Sequence, residues 1–281
     1  MKILMVVLTS SVLWLCSQVA QAAHVLVVLS DASRLELRDG KSVATGFFFN
    51  ELMQPVKMLL DAGHTLTFAT PLGNPPTLDE GSLSKSYFGN DERVFNEHKA
   101  LLERLKIIST MDSPVISLEQ VEQRGYQTYD ALYVPGGRAP MQDLTRSPLM
   151  GRLLANFNRY GKPTALVCHG PVALLSTLPD ADGFAAELEA KGRVTPQPGW
   201  IYAGYRMTVM SNMEERWAAQ RGRLGDGQMK YMPQDALEAA GGDYQSNLVP
   251  WRPNMVMDRE LITGQNPEST RAVAEELLKR L

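Results

Sequence analysis

Cys168 stands where the apolar run Thr164-Ala165-Leu166-Val167 gives way to His169-Gly170-Pro171. A thiol at such a strand-to-helix turn is a candidate nucleophile. Gly170-Pro171 ends the run sharply, and Pro171 opens a helical stretch through Leu175, with proline in its first turn. That placement predicts an exposed thiol near the positive end of a helix, where a lowered pKa favours the thiolate. The chain has four histidines, His24, His64, His98 and His169, and none follows His169. Pairing of the cysteine with a base far downstream is therefore disfavoured, which leaves His169 as the candidate general base. An acid to orient it is expected from a later strand end, where Ser211-Asn212-Met213-Glu214-Glu215 offers Glu214 or Glu215; spacing alone does not choose between them. Oxyanion stabilisation needs backbone N–H groups near the sulfur. Pro135-Gly136-Gly137-Arg138 supplies a close-approaching backbone, and the amides of Gly137 and His169 are the natural pair.

These residues need a scaffold, and the chain alternates strand-like with helix-like stretches, the pattern of an α/β domain built on a mainly parallel sheet. Val25–Leu29, Thr65–Ala69, Ala131–Val134 and Thr164–Val167 are short continuous apolar runs, as strands covered on both faces must be. Tyr205–Met210 is a further candidate strand, and Met255–Met257 with Leu261–Thr263 reads as a late hairpin around Asp258-Arg259. Ser147-Pro148 supplies an N-cap and first-turn proline for a helix with Leu149, Leu153 and Phe157 on one face, closed by Gly161 and Pro163. Val273, Leu277 and Leu281 form an apolar stripe on a C-terminal helix. Glu51–Ala62 is helical in pattern, closed by Gly63, with Pro55 expected to start or kink it. Two stretches, residues 71–111 and 222–232, exceed ordinary connections and are expected as lid or cap elements over the strand ends.

A chain of 281 residues, 44% hydrophobic and 21% charged, buries a substantial core without disulfide or metal staples. Its 28 basic and 31 acidic residues are scattered, which argues against a nucleic-acid partner and a polybasic membrane surface. Lys2, the apolar run Ile3–Leu15 and Ala20-Gln21-Ala22 have the form of a signal peptide, residues 1–22, so export to a periplasm or the exterior is expected, with residues 23–281 as one domain. The apolar run is shorter than the roughly 20 residues that span a bilayer, so no membrane association is expected after cleavage. Cleavage removes Cys16 and leaves Cys168 without a disulfide partner in the chain. His24, His64 and His98 lack ligand spacing, and no metal site is read.

Taken in order, Thr45-Gly46-Phe47-Phe48-Phe49-Asn50-Glu51 with Pro55, Ala62-Gly63, Ala69-Thr70-Pro71, Tyr129 through Gly137, Val167-Cys168-His169-Gly170-Pro171 and Leu261 through Pro267 resemble the ThiJ/PfpI superfamily. Pro75-Pro76 with Asp79, the Ser211–Glu215 segment and Thr263–Pro267 resemble its glyoxalase III branch more than the short PfpI branch. The resemblance implies a flavodoxin-like three-layer sandwich, a homodimer, and a glutamate from the early helix hydrogen-bonded to the cysteine. That last role falls on Glu51, which by itself reads as a solvated charge at a helix start. The third member of the cysteine–histidine–acid set falls on Glu215, with Glu214 second. Many glyoxalase III relatives carry Gly-His-Gly after the oxyanion glycine, whereas this chain has Gly137-Arg138-Ala139-Pro140, and Arg138 is expected to attract an anionic group.

The activity so implied is cofactor-free conversion of a 2-oxoaldehyde such as methylglyoxal into a 2-hydroxy acid through a Cys168 hemithioacetal, with His169 and Glu51 moving the proton from C1 to C2. The same residues serve a deglycase or peptidase-type hydrolase. A holdase chaperone and a redox sensor built on Cys168 are the non-enzymatic rivals.

Overall fold

Strands that are apolar on both faces need cover on both faces, and the arrangement of the helices follows from that requirement. The computed structural model describes residues 22–281. In chain order its strands are β1 (His24–Val28), β2 (Arg34–Glu36), β3 (Ser42–Ala44), β4 (Thr65–Thr70), β5 (Ile116–Ser117), β6 (Ala131–Val134), β7 (Thr164–Val167), β8 (Arg206–Met207), β9 (Asp243–Tyr244), β10 (Met255–Asp258) and β11 (Leu261–Gly264). The α-helices are α1 (Phe49–Asp61), α2 (Glu92–Leu105), α3 (Leu118–Arg124), α4 (Pro140–Asp143), α5 (Pro148–Arg159), α6 (Ala181–Lys191), α7 (Asn212–Gln220), α8 (Pro233–Ala240) and α9 (Thr270–Lys279).

Seven strands form the central sheet in the order β10-β11-β7-β6-β1-β4-β5. Every neighbouring pair is parallel except the β10–β11 hairpin, which turns at Arg259 as its sequence implies. Along β1 the side chains alternate between two cores. Val25 and Val27 pack with Leu52 and Val56 of α1 and Val273 and Leu277 of α9. Leu26 and Val28 join Leu153 and Phe157 of α5. Each such fully buried side chain contributes about 1.5–3 kcal/mol, so the sheet is clamped from both sides, and the α/β sandwich expected from the sequence is present.

The chain builds outward from β1 through β4 to β5, then returns to place β6 on the other edge of β1. Ligands of open α/β sheets bind at such a reversal, outside the carboxyl ends of the strands. Pro135-Gly136 leaves the end of β6, and Cys168 leaves the end of β7.

Three expectations are revised. Only Arg206–Met207 of the proposed Tyr205–Met210 strand is a strand, and it pairs with β9 outside the main sheet. Both edges of β7 are already taken by β6 and β11, so the run touches the sheet only at points such as Met210 N–H to Cys168 O, 2.9 Å. Of the two roles expected of Pro55, starting the helix is excluded, because it lies inside α1. Residues 71–111 divide in two: α2 packs on α1 through Phe49, Phe88 and Phe95, ring centroids 5.5–5.6 Å apart, while the stretch before it reaches the strand ends. Residues 222–232 are pinned to the β2–β3 hairpin by Arg38 N–H to Gln228 O, 2.8 Å, and contribute Arg223 near the site. The expected leader, with Cys16, lies outside the described residues apart from Ala22. Among the described residues no helix is long and apolar enough to cross a membrane.

Candidate active site

Cys168 has a φ of +59°, the left-handed region that costs a residue with a Cβ roughly 1–2 kcal/mol. Strand β11 and the segment after β8 hold it there. Its N–H donates to Gly264 O of β11 at 2.8 Å, and its carbonyl accepts the N–H of Met210 at 2.9 Å. The turn so fixed places the sulfur at the end of β7 and His169 directly before a helix with Pro171 in its first turn, as the sequence indicates. That helix is a 3₁₀ helix, Gly170–Thr177. The thiol is also more enclosed than expected, with Cys168 only 3% exposed. Burial pushes its pKa well up, the neighbouring Glu51 and Glu215 carboxyls add to that, and Arg138 opposes it. The expected depression of the thiol pKa is thus reversed, because desolvation outweighs a helix terminus.

His169 comes from the turn after β7 and its acid partner from α7. Nδ1 of His169 lies 3.2 Å from Cys168 Sγ, and its Nε2 hydrogen-bonds Glu215 Oε1. The other oxygen of Glu215 accepts from Arg138 Nη2 at 2.9 Å. Sulfur, imidazole, carboxylate and guanidinium therefore form one chain. Burial opposes ionisation of Glu215, but Arg138 and His169 together hold its pKa at about 2. Of the two glutamates, the structure brings Glu215 and not Glu214 to His169. Glu214 closes a capping box with Ser211 and accepts from Trp251 N, Gln265 Nε2 and Asn266 Nδ2 at 2.8–2.9 Å, so it ties the start of α7 to the segment after β11. The Ser211-x-x-Glu214 spacing carries that signal in the sequence.

Glu51 comes from α1 into the neighbourhood of the same sulfur, but the hydrogen bond to Cys168 that the resemblance implies is not formed. Glu51 is wholly buried, one carboxyl oxygen accepts the Gly136 N–H at 2.9 Å, and the other has no partner among the described residues. Burial raises its pKa to about 8, against the opposing pull of Cys168 and the Gly136 amide. It is protonated at neutral pH. The backbone is shaped for this group: a Cβ on Gly136 would sit 2.6 Å from the Glu51 carboxyl and 2.7 Å from Cys168 Cβ, and one on Gly137, at φ +80°, would sit 2.0 Å from Gly46 O. Pro55 has a part in it too. Lacking an N–H, it leaves the Glu51 carbonyl without its helical partner, and the buried Tyr133 hydroxyl donates to that oxygen instead. The insertion caps the helix start, with Ser82 Oγ accepting the Phe49 N–H at 2.9 Å.

Cys168, His169, Gly137 and Arg138 line a cavity of about 270 Å³. Gly136 does not join them as an oxyanion donor, because its amide is committed to Glu51. Glu51 itself lies behind the sulfur and off the cavity wall. Arg138, expected to attract an anionic group, is paired with the Glu215 carboxylate while lining the cavity. Tyr87, Trp251, Met210 and Glu268 are also on the wall; the sequence reading passed over all four, since nothing in their spacing points to a common site. Among the described residues no group of three or more His, Cys, Asp or Glu side chains is placed to hold a metal ion.

The segment that carries Glu51, Gly136, Cys168, His169 and Glu215 is also where a family profile described as ThiJ/PfpI family-like matches, over residues 43–217. The chain belongs to the ThiJ/PfpI family. Among its ThiJ/PfpI relatives is the probable glutathione-independent glyoxalase hsp3103 of Schizosaccharomyces pombe, 24% identical over 278 residues that cover 93% of this chain and 99% of that one. The protein/nucleic acid deglycase HchA of Pseudomonas aeruginosa is 25% identical over 245 residues, covering 86% of this chain and 75% of the relative. The ThiJ/PfpI fold is shared with the crystal structure of glyoxalase III from Candida albicans, with a TM-score of 0.67, 19% identity, and coverage of 92% of this chain and 97% of that one.

Proposed function

We propose that this protein is a cofactor-independent enzyme of the glyoxalase III type, which converts methylglyoxal or a similar 2-oxoaldehyde into a 2-hydroxy acid. The observation that carries the reading is His169, with Nδ1 at 3.2 Å from Cys168 Sγ and its other nitrogen held by an ionised Glu215. A raised thiol pKa requires a base at the moment of attack, and His169 is in place to take the proton as sulfur adds to the aldehyde carbon. The imidazolium so formed, stabilised by Glu215, returns that proton to the new C1 oxygen, and the amides of Gly137 and His169 hold this oxygen as its charge develops. Neutral His169 then removes the C1 hydrogen to give an enediol, and reprotonation at C2 leaves a thioester. Water cleaves the C1–S bond, releasing the acid and the thiol. Glu51, off the cavity wall, acts on the sulfur alone: a protonated carboxyl beside a forming thiolate favours it, an ionised one opposes it.

The glyoxalases among the relatives support this reading. Lactate formed from methylglyoxal is the test, with wild type expected to produce it and Cys168→Ala expected to lose at least about 10³-fold. Lactate from Cys168→Ala at the wild-type rate, or none from the wild type, overturns the reading. Release of free amine from a glycated substrate without lactate points instead to the hydrolase.

A further inference from the structure

The proposed reaction makes three polar demands, and the residues above meet two: donors at the C1 oxygen and a base at the C1 hydrogen. Nothing among them meets the third, a donor at the C2 oxygen, where charge builds as the C1 hydrogen leaves. The cavity wall offers few side-chain donors for that task. Arg138 is drawn away to Glu215 through Nη2, and its Nε is shut off from solvent. Arg223 donates to Gly81 O at 2.7 Å and faces Asp79 at 3.7 Å. Exposed Arg221 stacks on the ring of Trp217, 5.9 Å from its centroid. Ser86 pairs with Ser84, 2.7 Å away. The Trp251 indole nitrogen is shut away from solvent and so does not open onto the cavity.

Tyr87 remains. It is half-buried, and its ring stands edge-on to Phe48 with centroids 5.4 Å apart. Its carbonyl accepts from Gln54 Nε2 of α1 at 2.7 Å, which fixes the backbone beneath the ring. The hydroxyl has no hydrogen-bond partner among the described residues. A rigid phenol with an uncommitted hydroxyl, on the same wall as Cys168 and His169, is a pre-organised donor. Burial and the nearby Glu51, Glu268 and Cys168 hold its proton on, with a pKa pushed up to about 12.

Resting on the glyoxalase reading, we propose that Tyr87 is a catalytic residue that donates its hydroxyl hydrogen bond to the C2 oxygen of the bound 2-oxoaldehyde, and so selects substrates with a 2-oxo group. As His169 takes the C1 hydrogen, the electron pair of that bond forms the C1–C2 double bond and the former carbonyl pair moves onto the C2 oxygen. Tyr87 stabilises this oxygen until it is protonated.

Tyr87→Phe keeps the ring on Phe48 and removes only the donor. With methylglyoxal as substrate, kcat for lactate is expected to fall about 10²-fold while KM changes by less than about threefold, the signature of a contact made mainly in the transition state. Alkylation of Cys168 by iodoacetamide is expected to proceed at the wild-type rate, which separates this role from one exerted on the thiol. A Tyr87→Phe kcat within about threefold of wild type overturns the proposal while leaving the glyoxalase reading intact. Loss of alkylation in parallel with kcat also overturns it, since Tyr87 then acts through the sulfur. No lactate from the wild type removes the glyoxalase reading and this proposal with it.

Discussion

Glu51 and Glu215 are both completely buried, and both face the neighbourhood of one sulfur, from α1 in the first case and from α7 through His169 in the second. Burial is the largest influence on each, and in each it favours the neutral acid. Their pKa values nevertheless stand at about 8 and about 2. Glu215 has a guanidinium and an imidazole against its two oxygens, whereas Glu51 has one amide and an oxygen without a partner. Depth therefore does not set the charge of a buried carboxyl; its partners do. The site is divided accordingly into a charged side that drives the base and a neutral side that tolerates a thiolate.

The largest effect expected from breaking this division is on the charged side. Glu215→Gln keeps the shape but removes the charge that stabilises imidazolium, and kcat/KM for lactate formation should fall about 10²–10⁴-fold. A loss under about tenfold shows that Glu215 only positions His169 and that its charge is incidental.

The neutral side responds in a different way. The folded-state pKa of Glu51, about 8, lies above its ordinary 4.5. Between those values the folded chain holds a proton that the unfolded chain has lost, so stability falls as pH rises from about 4.5 and the loss is complete above about 8. For Glu215 the sign is opposite: its contribution is present above about 4.5 and disappears as pH falls through about 2. Glu51→Gln removes the first window only. Its melting temperature should fall less than that of the wild type between pH 6 and pH 9, and the activity it retains, about a tenth of wild type, should lack an alkaline limb near pH 8. Equal melting-temperature losses for both proteins show that Glu51 is already ionised at pH 6.

The two sides were unequally legible in the sequence. Cys168 and His169 stand out because they are adjacent, and a strand end followed by Gly170-Pro171 exposes what the chain places there. Partners that meet only in space leave no such mark. Arg138 and Glu215 are 77 positions apart, and the pairing that decides the charge of the site follows from no periodicity. Glu51 was recoverable only by resemblance, because a glutamate at a helix start is ordinarily solvated. Glu214 had a local signal in its capping box, and reading it leaves Glu215 as the free acid. The strand expected at Tyr205–Met210 failed for a reason that pattern cannot contain: the hairpin of β10 and β11 comes later in the chain and takes the edge of β7. Tyr87 sits in an insertion whose first half lines the cavity and whose second half packs as an ordinary helix, a division that composition does not reveal.

The smallest expected effect concerns how the neutral side is held. Tyr133 donates to the carbonyl that Pro55 leaves unpaired one turn earlier, and that carbonyl belongs to Glu51. Tyr133→Phe strands a buried acceptor and should cost about 1–3 kcal/mol, measured by denaturant titration. Pro55→Ala supplies an N–H that competes for the same oxygen, so in its presence the Tyr133 hydroxyl should matter less. A double-mutant cycle on Tyr133→Phe and Pro55→Ala should show coupling of about 1 kcal/mol, with the alanine partly rescuing the phenylalanine. Strict additivity shows that the two residues act independently, and that the helix carrying Glu51 owes its placement to the packing of Leu52 and Val56 alone.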